Sequence, residues 1–149
     1  MPNQSQQRRQ SRRRALQALY QWEMTDGDVR DIDAQFLATQ DMSKVDVGYF
    51  QELLHAIPAT VTEIDAQLQE CLDRDVSRLD PIERNVLRIA AHELRARQDI
   101  PYRVIINEAV ELTKAFGAEQ GHKYVNGVLD AVAQRLRASE TAAHVGAGR

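Results

Sequence analysis

Residues 8–22 read RRQSRRRALQALYQW, and wound as a helix at about 100° per residue they set Ala15, Ala18, Leu19 and Trp22 on one stripe, with Leu16 at its edge. An apolar stripe of that kind needs a core to cover it. Carried back along the same helix, the line through Leu19 meets Arg8 and Arg12, so the core is expected to stop there and the basic half to project beyond it. Residues 1–14 hold five arginines and no acid. Near a helix N-terminus they oppose a dipole that favours acidic groups by about 0.3–1 kcal/mol each, so stability does not ask for them. One reading is an anion-binding arm whose guanidinium forks pair with nucleic-acid phosphates. The other is an ordinary solvated, frayed chain end, and the arginine run alone leaves both open.

Working outward, the remaining periodicity is helical throughout. Asp28 reads as the N-cap of a short helix over 29–39, in which Ile32, Phe36 and Leu37 recur at helical spacing. Apolar residues then repeat every three or four positions from 46 to 72, interrupted at Pro58, where the missing donor and the ring predict a kink or a break. Asp80, Pro81 and Glu83 combine N-cap, first-position proline and third-position acid, the strongest helix start in the chain. The helix they open runs to about residue 97, with Ile82, Val86, Ile89 and Ala90 inward and Arg84, Arg88 and Arg95 on the opposite face.

A further helix is expected over 103–116, ended by Gly117, with Val104, Ile105, Leu112, Ala115 and Phe116 as its stripe. The last, over 121–137, carries Val125, Val128, Leu129, Val132 and Leu136 at near-ideal spacing, and its interior Gly127 suggests a close backbone approach. Periodicity fades from 139. No segment alternates as a strand does. The expected fold is all-α, a compact bundle of about six or seven helices forming one domain over 1–138, with 1–10 a flexible basic arm and 139–149 a disordered tail.

Charge is unevenly placed along the 149 residues, whose net charge is −3. Against the five arginines of 1–14, residues 15–80 hold fourteen acids and four basic groups, and residues 81–149 hold eight and ten. Such asymmetry fits two partners of opposite sign, an anionic polymer and a basic protein, although an acidic stretch is also an ordinary solvated surface. Cys71 is the only cysteine, which rules out an intramolecular disulfide and suits a reducing cytoplasm. No apolar run approaches the ~20 residues that span a bilayer, so a soluble protein with no membrane association is expected.

His55, His92, His122 and His144 stand on separate elements without metal-ligand spacing, and no metal site is expected. Nucleophile-elbow, dinucleotide and phosphate-loop motifs are missing. Glu93 and Glu108 fall within apolar stripes. Two inward carboxylates read either as an acid/base pair or as groups satisfied by neighbouring donors, and with no nucleophile beside them the second reading is preferred.

Four stretches carry a resemblance: RRRALQALYQW at 12–22, DVGYFQELL at 46–54, VLRIAAHEL at 86–94, and IPYRVIINEAVELTKAFGAEQGHKYVNGVLD at 100–130. Together they resemble the NusB family of transcription antitermination factors over roughly residues 8–137. Similar IINEAVEL…YVNGVLD segments also occur in the amino-terminal RNA-binding domain of some RNA cytosine methyltransferases. An RNA-recognition domain or accessory subunit for RNA cytosine methylation is therefore the alternative function.

The resemblance implies a non-catalytic, cofactor-free, cytoplasmic RNA-binding protein. Its partners would be the single-stranded boxA element of ribosomal RNA leader transcripts and the basic ribosomal protein NusE, with other Nus factors and RNA polymerase reached indirectly. By position, Arg8, Arg9, Arg12 and Arg13 match the family's RNA-contacting arm, and Gln120, Lys123 and Tyr124 lie in its second RNA-facing segment, 117–124. Tyr20 and Glu83 fall where the family meets its ribosomal-protein partner. The residue before Gly121, acidic in the family's best-known member, is Gln120 here, a departure that bears on RNA affinity at that loop.

Overall fold

The first helix begins where Asn3 and Gln6 cap it reciprocally. The Asn3 side-chain oxygen accepts from the Gln6 backbone N–H at 2.8 Å, and the Gln6 side-chain oxygen accepts from the Asn3 N–H at 3.0 Å. A computed structural model describes residues 2–147, and side chains as far as residue 143. From that cap, α1 (Gln4–Thr25) runs to Asp26, whose φ of 53° is left-handed. Asp28 caps α2 (Val29–Thr39) by accepting from Arg30 N–H at 2.8 Å, and Asp46 caps α3 (Val47–Ala59) by accepting from Tyr49 N–H at 3.1 Å.

These three helices pack on one another in a first compact unit, Met1–Val61. Its buried residues are the α1 stripe of Ala15, Leu16, Ala18 and Leu19, with Ile32 and Phe36 of α2 and Phe50, Leu53 and Leu54 of α3. Phe36 and Phe50 stack with centroids 5.8 Å apart. Trp22, expected on the stripe, is only half-buried.

The flexible arm expected over 1–10 is helix from Gln4 onward, and the basic half does not project past the core. Ser11 is fully buried, and its hydroxyl donates to the Asp46 carbonyl at 2.7 Å, tying α1 to the start of α3. The stripe argument missed this because an arginine ends a buried face only if nothing receives its guanidinium, and here an aromatic ring does.

Pro58 lies in the last turn of α3, and the chain breaks at Thr60 before α4 (Val61–Gln69). The second unit, Thr62–Arg149, continues through a 3-10 turn at Val76–Arg78 into α5 (Pro81–Ala96). Asp80 accepts from the N–H groups of Ile82 at 2.9 Å and Glu83 at 3.4 Å, the start that the sequence predicts. Next come α6 (Tyr102–Phe116) and α7 (Gly121–Leu136), which pack on α5 and on each other, and α8 (Ala138–Ala147), which packs on α7.

Burial along α5 is unbroken from Arg84 to Leu94, so it is a central helix and not the two-faced surface helix expected. Arg84 and Arg88 are therefore not on a solvent face. Arg84 donates from Nη1 to the Leu79 carbonyl at 2.8 Å, and Arg88 forks onto both carboxylate oxygens of Asp65 on α4 at 2.9 and 2.8 Å. Arg95 is exposed, as expected. Glu93 is 1% exposed, as its register requires; Glu108 is buried too, and neither is without a partner.

Three smaller expectations fail. Val104 and Ala115 are exposed, because α6 turns Ile105, Ile106, Ala109 and Leu112 inward. Ile82 is only half-buried. Gly127 is exposed, with open space where a Cβ would stand, so no close approach explains it.

The tail expected to be disordered from 139 is helical through Ala147; residues 148 and 149 lie outside the described residues. Arg137 accounts for the start of this helix. Its side chain donates to the carbonyls of Leu94 at 2.7 Å, Arg97 at 2.8 Å and Ile100 at 3.1 Å, and to Glu140 at 2.7 Å. Glu140 in turn accepts from Tyr102 N–H at 2.9 Å. Among the described residues the fold is all-α, with eight α-helices and no strand, grouped in two compact units.

Candidate nucleic-acid interface

Helical register alone decides how the arginines of α1 are presented. Arg8 and Arg12, one turn apart, both lie over the ring of Tyr49 on α3, their guanidinium carbons 5.0 and 5.6 Å from its centroid. Arg12 is 3% exposed, so the ring and the helix cover it. Arg8 and Arg13 are half-buried and Arg9 is exposed. Arg14 donates to Gln17 at 3.1 Å and to the Asp41 carbonyl at 3.4 Å. Of the four arginines the sequence singled out, Arg9 is the most open to solvent, while Arg12 is part of the packing. On the outer side of α1, Tyr20 and Met24 stand one turn apart, 40% and 49% exposed.

In the second unit, Gly117 ends α6 and Gln120 turns the chain into α7 in a left-handed conformation, φ 71° and ψ −6°, without a side-chain cap bond. A side chain at the next residue, Gly121, would have to push the Glu83 carboxylate aside. The Glu83 carboxylate sits where a Cβ on Gly121 would stand, with Thr113 Cγ2 only 3.4 Å from the same point. One turn into α7, Tyr124 donates its hydroxyl to Asp73 Oδ1 at 2.9 Å. The guanidinium of Arg74 covers the Tyr124 ring at 4.8 Å from its centroid, and it also holds Asp73 through Nε at 2.8 Å and Nη2 at 3.2 Å. Lys123 and Gln120 are exposed beside this cluster.

The electrostatics of the cluster follow from those contacts. Hydrogen bonds from Arg74 first, and from Tyr124 second, hold the Asp73 carboxyl down at about 2. Arg74 is raised chiefly by its hydrogen bond to, and the charge of, Asp73. Tyr124 is raised, chiefly by burial and then by its bond to Asp73. Glu83 is raised by burial and by the neighbouring Asp80 charge, with Arg74 opposing. One carboxylate is thus stabilised as an anion while another nearby resists ionising.

The structure therefore brings together Glu83, Gly121 and Tyr124, and places Glu83 half-buried against the start of α7. Sequence reading missed Asp73 and Arg74. The available signal was an arginine flanked by acids in the acidic stretch, at LDRD, 72–75.

A profile of the NusB family matches residues 9–134. This chain belongs to the NusB family. A relative from Pseudomonas entomophila (strain L48) named transcription antitermination protein NusB is 52% identical over 143 residues, 96% of this chain and 86% of that protein. Among solved structures, NusB of T. maritima is similar at a TM-score of 0.73 and 32% identity, covering 85% of this chain and 90% of the other. A crystal structure of the antitermination factors NusB and NusE in complex with double-stranded RNA is similar at 0.78 and 26%, covering 86% and 96%. The all-α fold is thus a NusB fold, confirming the resemblance of the four sequence stretches.

Proposed function

We propose that this chain is a non-catalytic RNA-binding antitermination factor, acting in the cytoplasm, that takes boxA-type leader RNA of ribosomal RNA operons together with NusE. Other Nus factors and RNA polymerase are then reached through that complex. The observation that carries the reading is the arginine face of α1: cations seated on Tyr49 and anchored through Ser11 to α3 form a rigid helical surface, which loses little order on meeting phosphate. The NusB and NusE complex with RNA supports the partner class.

RNA phosphates meet Arg9 and Arg13, with Arg8 at the margin and Arg12 seating the others. Lys123 supplies a cation, and Gln120 and Tyr124 supply polar and aromatic groups, from the second unit. Single-stranded RNA is read by stacking and base-edge contacts added to phosphate attraction, and both kinds of group are present. Titrating a labelled boxA-like RNA and a scrambled control, with and without NusE, tests the reading. Arg9→Ala with Arg13→Ala should weaken both RNAs and lower the slope of log K against log salt by roughly 0.7 per lost phosphate contact. Equal slopes for wild type and variant would remove the arm from the interface.

A further inference from the structure

Within the second unit, α4 and α7 stand on either side of a cleft of about 300 Å³. One face of each helix lines it: Ala66, Gln67 and Glu70 from α4, and Val132, Arg135 and Leu136 from α7. The volume is at the lower end of small-ligand sites, which run from roughly 300 to 1,000 Å³. α4 is held in place by other segments, so the gap is a built feature. Its Ile64 and Leu68 are buried, and Asp65 receives the Arg88 fork at 2.9 and 2.8 Å. Gln69 donates to the Arg74 carbonyl at 2.8 Å and accepts from the Val76 N–H at 2.9 Å.

The chemistry of the walls decides what the cleft can hold. Val132, 1% exposed, gives it an apolar floor to which Ala66 and Leu136 add. Gln67 brings an acceptor without a donor: its Oε1 is shut off from solvent and receives no hydrogen bond from the described residues. An unpaired buried carbonyl is costly, and the soft terminal torsion of glutamine lets a small turn aim it into the cleft. At the mouth, Arg135 and Glu70 form an ion pair from helix to helix, both side chains 55% exposed. With that pair closed the rim offers no uncompensated charge, while the planar guanidinium remains able to lie on an aromatic face.

We propose that this cleft binds a neutral aromatic ring bearing one N–H or O–H donor, the chemistry of an indole or a phenol. The ring rests on Val132 and Leu136 beside the Arg135 guanidinium, and its donor meets Gln67 Oε1. An aliphatic occupant would leave that oxygen unpaired. An anion would compete with Glu70 for Arg135, and a cation with Arg135 for Glu70. None of the lining residues is among those assigned above to RNA or NusE, so the site stands independently of that reading.

The test is an NMR titration of the isotope-labelled full chain with indole, with N-methylindole, which lacks the donor, and with N-acetyltryptophanamide. Indole should shift the amides of 66–70 and 132–136 and saturate with a dissociation constant below about 1 mM. N-methylindole should bind at least about fivefold more weakly, and Gln67→Leu should abolish that difference. Ala66→Phe fills the cleft from its exposed lip and should remove indole binding, with thermal melts confirming that both variants fold. N-acetyltryptophanamide distinguishes the sources of the ring: affinity equal to that of indole assigns it to the side chain of a protein partner, and a loss of at least about fivefold assigns it to a free molecule. No saturable shift at these amides up to about 5 mM indole would overturn the proposal. So would equal affinity of the wild type for indole and N-methylindole, or unchanged indole binding in Ala66→Phe.

Discussion

Two carboxylates a short distance apart in sequence, Asp73 and Glu83, differ in which protonation state the fold prefers. The folded Asp73 carboxyl is held at about 2, below its ordinary 3.8, so its contribution to stability is present above the ordinary value and is lost as pH falls toward 2. Glu83 is raised above its ordinary 4.5, so the folded state resists its ionisation and this carboxylate destabilises once pH has risen past both its unfolded and folded values. Denaturant midpoints should therefore move in opposite directions. Asp73→Asn is expected to lower the midpoint at pH 7, the difference from wild type shrinking as pH approaches 2. Glu83→Gln should raise it at pH 7 and leave it unchanged below about pH 4. Parallel shifts of the same sign would mean that the Arg74 and Asp80 neighbourhoods do not act as described.

At the scale of the element, local signals were legible and received charges were not. Asp28 and Asp80 announce their helices because an N-cap acts within three residues, and the stripes of α1 and α7 show because a helix repeats within a turn. Arg84 and Arg88 were read onto the face opposite the core because their partners, the Leu79 carbonyl and Asp65, come from other segments, and nothing in the sequence announced that Arg137 is received by the end of α5. The same blindness turned α8 into a tail: its residues have no strong stripe, and its anchor is the Arg137–Glu140 pair bridging the end of α5 to the start of α6. At the candidate site, the arginines and Tyr124 were visible, whereas the Arg74 cover on Tyr124 depends on residues 50 positions away in sequence. Arg137→Ala strips donors from four backbone carbonyls, those of Glu93, Leu94, Arg97 and Ile100, and leaves Glu140 without its cation, so a loss of about 3–5 kcal/mol is expected from chemical denaturation. Amide exchange at Tyr102 should quicken in the same variant. A loss below about 1 kcal/mol would show that water replaces the guanidinium without cost.

For the whole molecule, the charge asymmetry becomes a statement about partners. The excess of ten negative charges over residues 15–80 steers a basic protein, while the cations of α1 repel it, so a basic partner is directed to acidic surface. Steering sets the association rate, but residence needs an anchor. On the proposed reading Tyr20 and Met24 would supply one on α1, where two large apolar side chains stand exposed a single turn apart on a helix whose other face is core. Tyr20→Asp should therefore weaken NusE binding mainly by speeding dissociation, by about 2 kcal/mol or more if the ring is a hot spot, with little dependence on salt. Glu83→Lys should act differently. It reverses a charge in the second unit and places a cation near Arg74, so it should slow association and flatten its salt dependence while changing dissociation less. Surface-immobilised NusE, with both rates read across a salt series, separates the two effects. Untouched affinity in both variants would place the partner on a different surface, and a dissociation defect in Glu83→Lys as large as that of Tyr20→Asp would make Glu83 part of the buried anchor.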